Sequence, residues 1–313
     1  MLIHSGCERP TEFEIVDDGI APAVPSGLAV YTAHDGFIGI QWIPNNEPDL
    51  DGYLVYRSTN DSVYMKIAFT RDNFFEDDSL CYDTTYFYKV SAIDISGKES
   101  NLTPSVSASP VNIYPPHTPG LNTVNCRNWE GDLSVYVSWY KNFDHDILGY
   151  EVHRSKTPGF TPGDTTLIGF SSSADFTDTL QLELYQNYYY KIIAVDKGNL
   201  KSNPSSEMAD AILDIPELIF PADGSNVNYF TQFLIGALQV PANYEIIVQT
   251  NQFFGNFWSK SFYSDVINDT IKVVFDPPYL YPDFTYYCRL VTYSSGNIQP
   301  NSISPLYNFT IIP

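Results

Sequence analysis

Positive charge is scarce in this chain: 16 Lys and Arg stand against 37 Asp and Glu, a formal net charge of −21 over 313 residues. A field of that sign repels phosphate backbones and argues against nucleic acid as a partner. Solubility is its first use, with calcium or a basic partner as further ones. Cysteine is equally sparse, four residues at 7, 81, 126 and 288. The last three fall in different parts of the chain, so no disulfide framework within a domain is expected. No run of about 18 apolar residues occurs, so no transmembrane helix is expected. No long amphipathic helical period occurs either. The five histidines, at 4, 34, 117, 145 and 153, do not cluster with Ser, Cys and carboxylates as a nucleophile–base pair or metal site requires. There is no Gly-x-Gly-x-x-Gly, phosphate loop, His-Glu-x-x-His or nucleophile elbow. No catalytic residue and no cofactor is therefore expected, and the chain reads as a non-enzyme.

What the chain has in abundance is aromatic residues, 15% of the total, with 24 Tyr, 20 Phe and 22 Pro. Aromatic and β-branched side chains suit pleated, half-buried surfaces, and the whole reads as all-β. Internal repetition is the strongest signal. Gly52-Tyr53-Leu54-Val55-Tyr56-Arg57-Ser58 returns as Gly149-Tyr150-Glu151-Val152-His153-Arg154-Ser155. Ahead of each lies a strand ending in Trp, Ile38–Trp42 and Val135–Trp139. Behind each lies an aromatic strand, Tyr86–Asp94 and Tyr188–Asp196, with apolar residues at period two. Phe75-Glu76-Asp77 and Phe176-Thr177-Asp178 add a fourth shared landmark, followed by Leu80 and Leu180.

These landmarks, in this order, resemble the fibronectin type III family: a Trp strand, a Tyr-x-Val strand, then a late Tyr-x-φ-x-Val-x-Ala strand (φ apolar). A Gly- and Ser-containing turn closes the module, as at Asp94–Asn101 and Asp196–Asn203. The resemblance implies three tandem immunoglobulin-like or fibronectin type III β-sandwiches of roughly 100 residues each. The expected boundaries are a tail over 1–20 and modules over 21–112, 113–213 and 214–313. It also implies that Trp42 and Trp139 centre their cores and that Tyr86 and Tyr188 form tyrosine corners. The third module is a looser relative. Tyr244–Val248 matches the Tyr-x-Val strand and Tyr286–Leu290 the corner strand, but Phe233–Gly236 offers no Trp. Pro-rich junctions at Pro110–Pro119 and Ile215–Pro216 read as short and semi-rigid.

Three features are candidates for function. Phe253–Tyr263 carries six aromatics around a Gly-Asn turn. Alternation lets half of a strand's side chains face the core, so some of Phe257, Trp258, Phe262 and Tyr263 are expected to face outward and bind a ligand such as a sugar ring. Asp49 and Asp51, with Asp144 and Asp146 on the matching loop, are weak calcium candidates; the competing reading is that Asp bonds its own backbone in turns. Ser5-Gly6-Cys7 resembles the end of a bacterial lipoprotein signal, making Cys7 a lipidation candidate, although His4 departs from that pattern and the apolar core is missing.

The leading expectation is thus a non-enzymatic, extracytoplasmic binding or spacer protein. It would sit at the outer membrane or cell surface through a lipid on Cys7, or else be periplasmic or secreted, and its partners would be proteins or glycans. The alternatives are a carbohydrate-binding or accessory subunit of a secreted polysaccharide-degrading system, or a structural subunit of a surface assembly.

Overall fold

The computed structural model describes residues 18–253, 255–294 and 298–313. The fold is all-β. The first repeat supplies β1 (Ser26–His34), β2 (Phe37–Ile43), β3 (Leu50–Ser58), β4 (Met65–Thr70), β5 (Phe74–Asp77), β6 (Tyr86–Asp94) and β7 (Val106–Ala108). The second supplies β8 (Leu121–Trp129), β9 (Asp132–Trp139), β10 (Ile147–Ser155), β11 (Leu167–Ser171), β12 (Asp175–Asp178), β13 (Asn187–Asp196) and β14 (Met208–Ala211). The remainder holds β15 (Leu218–Phe220), β16 (Ser225–Val227), β17 (Gln232–Gly236), β18 (Ala242–Gln249), β19 (Asn256–Ser264), β20 (Thr270–Val274), β21 (Thr285–Tyr293), β22 (Ser302–Ile303) and β23 (Tyr307–Ile311).

The chain divides into two compact units. The first ends at Pro115 and also takes in Phe143–Ile147 and Asp196–Leu200. Here the sheet β1-β2-β5 closes on the sheet β4-β3-β6-β7. The period-two pattern does the sorting: Ile38, Ile40 and Trp42 of β2 meet Tyr53 and Val55 of β3 and Tyr86, Tyr88 and Val90 of β6 in one core. Trp42 packs edge-on against Tyr53 at 5.2 Å between ring centroids. The Tyr53 hydroxyl accepts the Asn45 N–H at 2.8 Å, and the Tyr86 hydroxyl accepts the Cys81 N–H at 3.1 Å.

The second unit comprises Pro116–Asn142, Leu148–Val195 and Lys201–Pro313. Its first sandwich repeats the arrangement. Trp139 packs on Tyr150 at 5.2 Å, and the Tyr188 hydroxyl accepts the Glu183 N–H at 2.8 Å. Not every repeated landmark is core: Leu80 is buried, whereas Leu180 is exposed. The indole N–H groups of Trp42 and Trp139 meet no acceptor among the described residues, so the rings hold their places by area and shape while only the tyrosines satisfy their polar atoms.

The second and third sequence modules lie in this one unit and share a sheet. Its order is β12-β9-β8-β22-β21-β18-β19, with β23 pairing β21 and β16. The join is a parallel pairing of β22 with β8, Ser302 opposite Asn128 and Ile303 opposite Trp129. Buried Asn301 seals it. Its Oδ1 accepts the Leu213 N–H at 2.8 Å, and its Nδ2 donates to the Ala211 carbonyl at 2.7 Å. Leu213 itself belongs to the core of the third sandwich. Hydrogen bonds of the shared sheet thus run beside the short junction at Ile215–Pro216.

Candidate binding surface

In the first two repeats an ionic network sits where the third, among the described residues, has none. The Arg57 Nη1 donates to both Asp77 oxygens at 3.0 Å, and the Tyr88 hydroxyl donates to Asp77 Oδ2 at 2.6 Å. Arg154, Asp178 and Tyr190 repeat this at 2.6 and 2.7 Å. Each guanidinium also covers its corner ring, Arg57 over Tyr86 at 5.6 Å and Arg154 over Tyr188 at 5.2 Å. In the third module, Val248 stands at the arginine's position, four residues after the strand's Tyr, and Cys288 at that of the second tyrosine. The two face each other in register. Both are buried, and burial pushes the Cys288 thiol up to about 12. Phe257 takes the guanidinium's place over the corner ring, 5.1 Å from Tyr286, whose hydroxyl accepts the Tyr281 N–H at 3.0 Å.

The core of the third module takes up three of the four candidate rings, Phe257, Trp258 and Phe262. Trp258 lies opposite Val248 and Phe262 opposite Tyr244, both on the core side of β18. A bulge between Val248 and Gln249 makes Phe257 the extra residue, which lets neighbours 257 and 258 both reach inward. Trp258 stacks on Phe233 at 6.0 Å and meets Phe275 edge-on at 5.0 Å, and its indole donates to Asp276 at 3.1 Å. Phe262 stacks on Tyr244 at 5.5 Å and 10°. Of the four candidates, only Tyr263 turns its ring to solvent, 64% exposed.

The register then gives Tyr263 neighbours that the linear sequence does not. Asn243 of β18 pairs with Tyr263 on one side and with Tyr293 of β21 on the other. The three side chains therefore form a row across the outer face of the sheet. Tyr293 is fixed there by its hydroxyl, which donates to Glu245 at 2.7 Å. Burial and that carboxylate push its phenol up to about 12. Beside the row, Pro241 and Ser294 line a groove of about 350 Å³ with Tyr185, Asn187 and Asp210. Asn243, Glu245 and Tyr293 carry no signal of their own in the sequence. Only strand pairing unites them.

The other candidates are placed as follows. Asp49 is buried and accepts the Asp18 N–H at 3.2 Å. Asp51 pairs with Arg71 at 2.6 Å. Asp144 is half-buried. Asp146 is buried and accepts the Tyr82 hydroxyl; burial, with Asp196 and Asp35 nearby, raises its carboxyl above the usual range. Among the described residues no group of three or more His, Cys, Asp or Glu side chains is placed to hold a metal ion. Cys7 lies outside the described residues. Cys81, Cys126 and Cys288 are free thiols, and no helix of the described residues is long and apolar enough to cross a membrane.

No family model matches the chain. Over 201 residues, 61% of this chain, it is 27% identical to exoglucanase B of Cellulomonas fimi, matching 17% of that protein. Over 106 residues, 32% of this chain, it is 35% identical to an amylopullulanase of Thermoanaerobacterium thermosulfurigenes, matching 5% of it. The chain thus spans less than a fifth of the length of either. Among solved structures it is similar to the FN1–FN3 domains of chicken CNTN1, at 10% identity and a TM-score of 0.37, covering 93% of this chain and 99% of that one.

Proposed function

Taking as premise that the chain is a tandem array of fibronectin type III-like modules, we propose that it is a non-catalytic accessory component of extracellular polysaccharide breakdown. The carrying observation is the partial similarity to exoglucanase B and amylopullulanase, which engages most of this chain in the first case and only a small share of each enzyme. Modules of this kind space and present surfaces, and a fold can host many functions, so the argument rests on the site as well as on the likeness. The exposed Tyr263 row is such a surface, and the charge of −21 keeps the array soluble outside the cell. Attachment through a lipid on Cys7 belongs to the same reading.

The test is deletion of the coding sequence from its host, followed by assay of polysaccharide hydrolysis in the extracellular and cell-surface fractions. Reduced hydrolysis of at least one polysaccharide supports the reading. Unchanged hydrolysis and growth across neutral polysaccharides overturns it. A second reading, a surface binding protein for another protein, is favoured by the long unpaired edge strand β19; capture of a defined protein partner with no effect on hydrolysis would establish it instead.

A further inference from the structure

We infer that the outer face of β19, β18 and β21 binds a neutral glycan chain, with Tyr263 and Tyr293 as stacking surfaces and Asn243 and Glu245 as hydrogen-bonding partners. The inference rests on the accessory role proposed above and adds to it a place and a ligand class.

Four observations carry it. The first is spacing. Tyr263, Asn243 and Tyr293 lie directly opposite one another on three adjacent strands. Two inter-strand spacings separate the tyrosines, roughly 9.5 Å. That is about the length of two linked sugar rings, so alternate rings of a chain laid across the strands meet the two tyrosines. The second is preorganisation. Tyr293 is tethered to Glu245 at 2.7 Å, and a tyrosine has only two side-chain torsions to immobilise, so stacking on it costs little conformational entropy. The third is the chemistry between the rings. The amide of Asn243 offers both donor and acceptor, and a carboxylate has about four lone-pair sites, of which Tyr293 occupies one at Glu245. Sugar hydroxyls need that mixture, whereas an apolar partner would leave the amide and carboxylate unsatisfied. The fourth is charge: a chain at −21 repels uronic-acid or sulfated polymers and selects neutral ones. The adjoining groove, with Tyr185 and Asn187 on its wall, gives a bound chain a second contact beside the row.

Tyr263 differs in kind from the other three candidate rings. Phe257, Trp258 and Phe262 are committed to the core of their own sandwich, so their substitution reports on folding. Tyr263 is exposed, so its substitution reports on binding.

The experiment uses the full chain in native gels cast with soluble mixed-linkage β-glucan, soluble starch, galactomannan or polygalacturonate, with calorimetric titration of any glycan that retards it. The expected result is retardation by at least one neutral glycan and none by polygalacturonate. Tyr263→Ala weakens binding about tenfold and Tyr293→Phe less, about threefold, with circular dichroism unchanged in both. Equal binding by wild type and Tyr263→Ala overturns the site, as does preferential binding of polygalacturonate. Binding of no neutral glycan also overturns it. In that case, reduced hydrolysis on deletion would still uphold the accessory role, so the two failures are distinguishable.

Discussion

Asp77 and Asp178 each hold one arginine and one tyrosine in a largely buried triad, and the third module dispenses with the arrangement. The comparison within one chain separates what the charges do from what the space requires. Arg154 keeps 14% of its side chain exposed and Asp178 none, so the pair is desolvated and its attraction largely offsets the cost of burial. Removing one partner is another matter. Asp178→Ala would leave the Arg154 guanidinium and the Tyr190 hydroxyl facing a cavity, at a cost of about 3–5 kcal/mol. Replacing the charged pair together, Arg154→Met with Asp178→Leu, should cost less, because no unpaired charge is left buried and the uncharged, buried Val248 already stands at the arginine's place in the third module. Urea denaturation followed by tryptophan fluorescence distinguishes the two. If the single variant costs no more than the double, the triad does not stabilise the fold in this way.

At the scale of elements, the recurring Gly-Tyr pair at the start of β3 and β10 has a steric cause. A Cβ on Gly149 would stand 2.6 Å from the Ser171 carbonyl and 2.5 Å from the Phe170 ring, which lies across the glycine from the neighbouring strand. Gly52 meets the Thr70 carbonyl at 2.6 Å and the Phe69 ring at 2.8 Å. Each glycine lets the aromatic ring of the adjacent strand lie against the backbone. Gly149→Ala should therefore push β11 away from β10 and cost about 1–3 kcal/mol. Gly163→Ala, where no atom lies within 4 Å of the new carbon, should be close to neutral under the same denaturation assay. Equal effects at both positions would show that backbone entropy rather than crowding governs these sites.

For the second compact unit as a whole, the shared sheet makes one cooperative body of two sandwiches. Among the described residues, sheet continuity runs through two residue pairs, Ser302 with Asn128 and Ile303 with Trp129. Side chains reinforce it: Asn301 bonds Leu213 and Ala211 and donates from Nδ2 to Asp210 at 3.4 Å, and Asn128 Nδ2 donates to the Leu213 carbonyl at 3.1 Å. The two sandwiches are expected to unfold in one calorimetric transition. Asn301→Ala strands the buried Leu213 N–H, at about 1–3 kcal/mol, removes a donor from the half-buried Ala211 carbonyl, and should split that transition in two. A single transition in the variant would place the coupling elsewhere along the seam.

Repetition of Trp, Tyr and Gly at fixed places was enough to specify β-sandwiches, because each landmark acts locally: Trp42 packs on the Tyr53 that follows it, and Tyr86 bonds the backbone five residues upstream. Period-two alternation assigned core faces where strands are regular, as in β2 and β6. It failed at Phe257 and Trp258, where a bulge breaks the period, and a bulge is a property of the pairing rather than of either strand. The Arg–Asp–Tyr triads stood in the repeated residues, but their meaning depended on which side chains meet across the core. The row of Tyr263, Asn243 and Tyr293 joins residues up to 50 positions apart, and the sheet that runs from β8 into β22 joins residues farther apart still. Sequence by itself determined the kind of module, through contacts short enough to be written as motifs. Tertiary structure decided the register between strands, and with it which aromatic rings are core and which remain exposed.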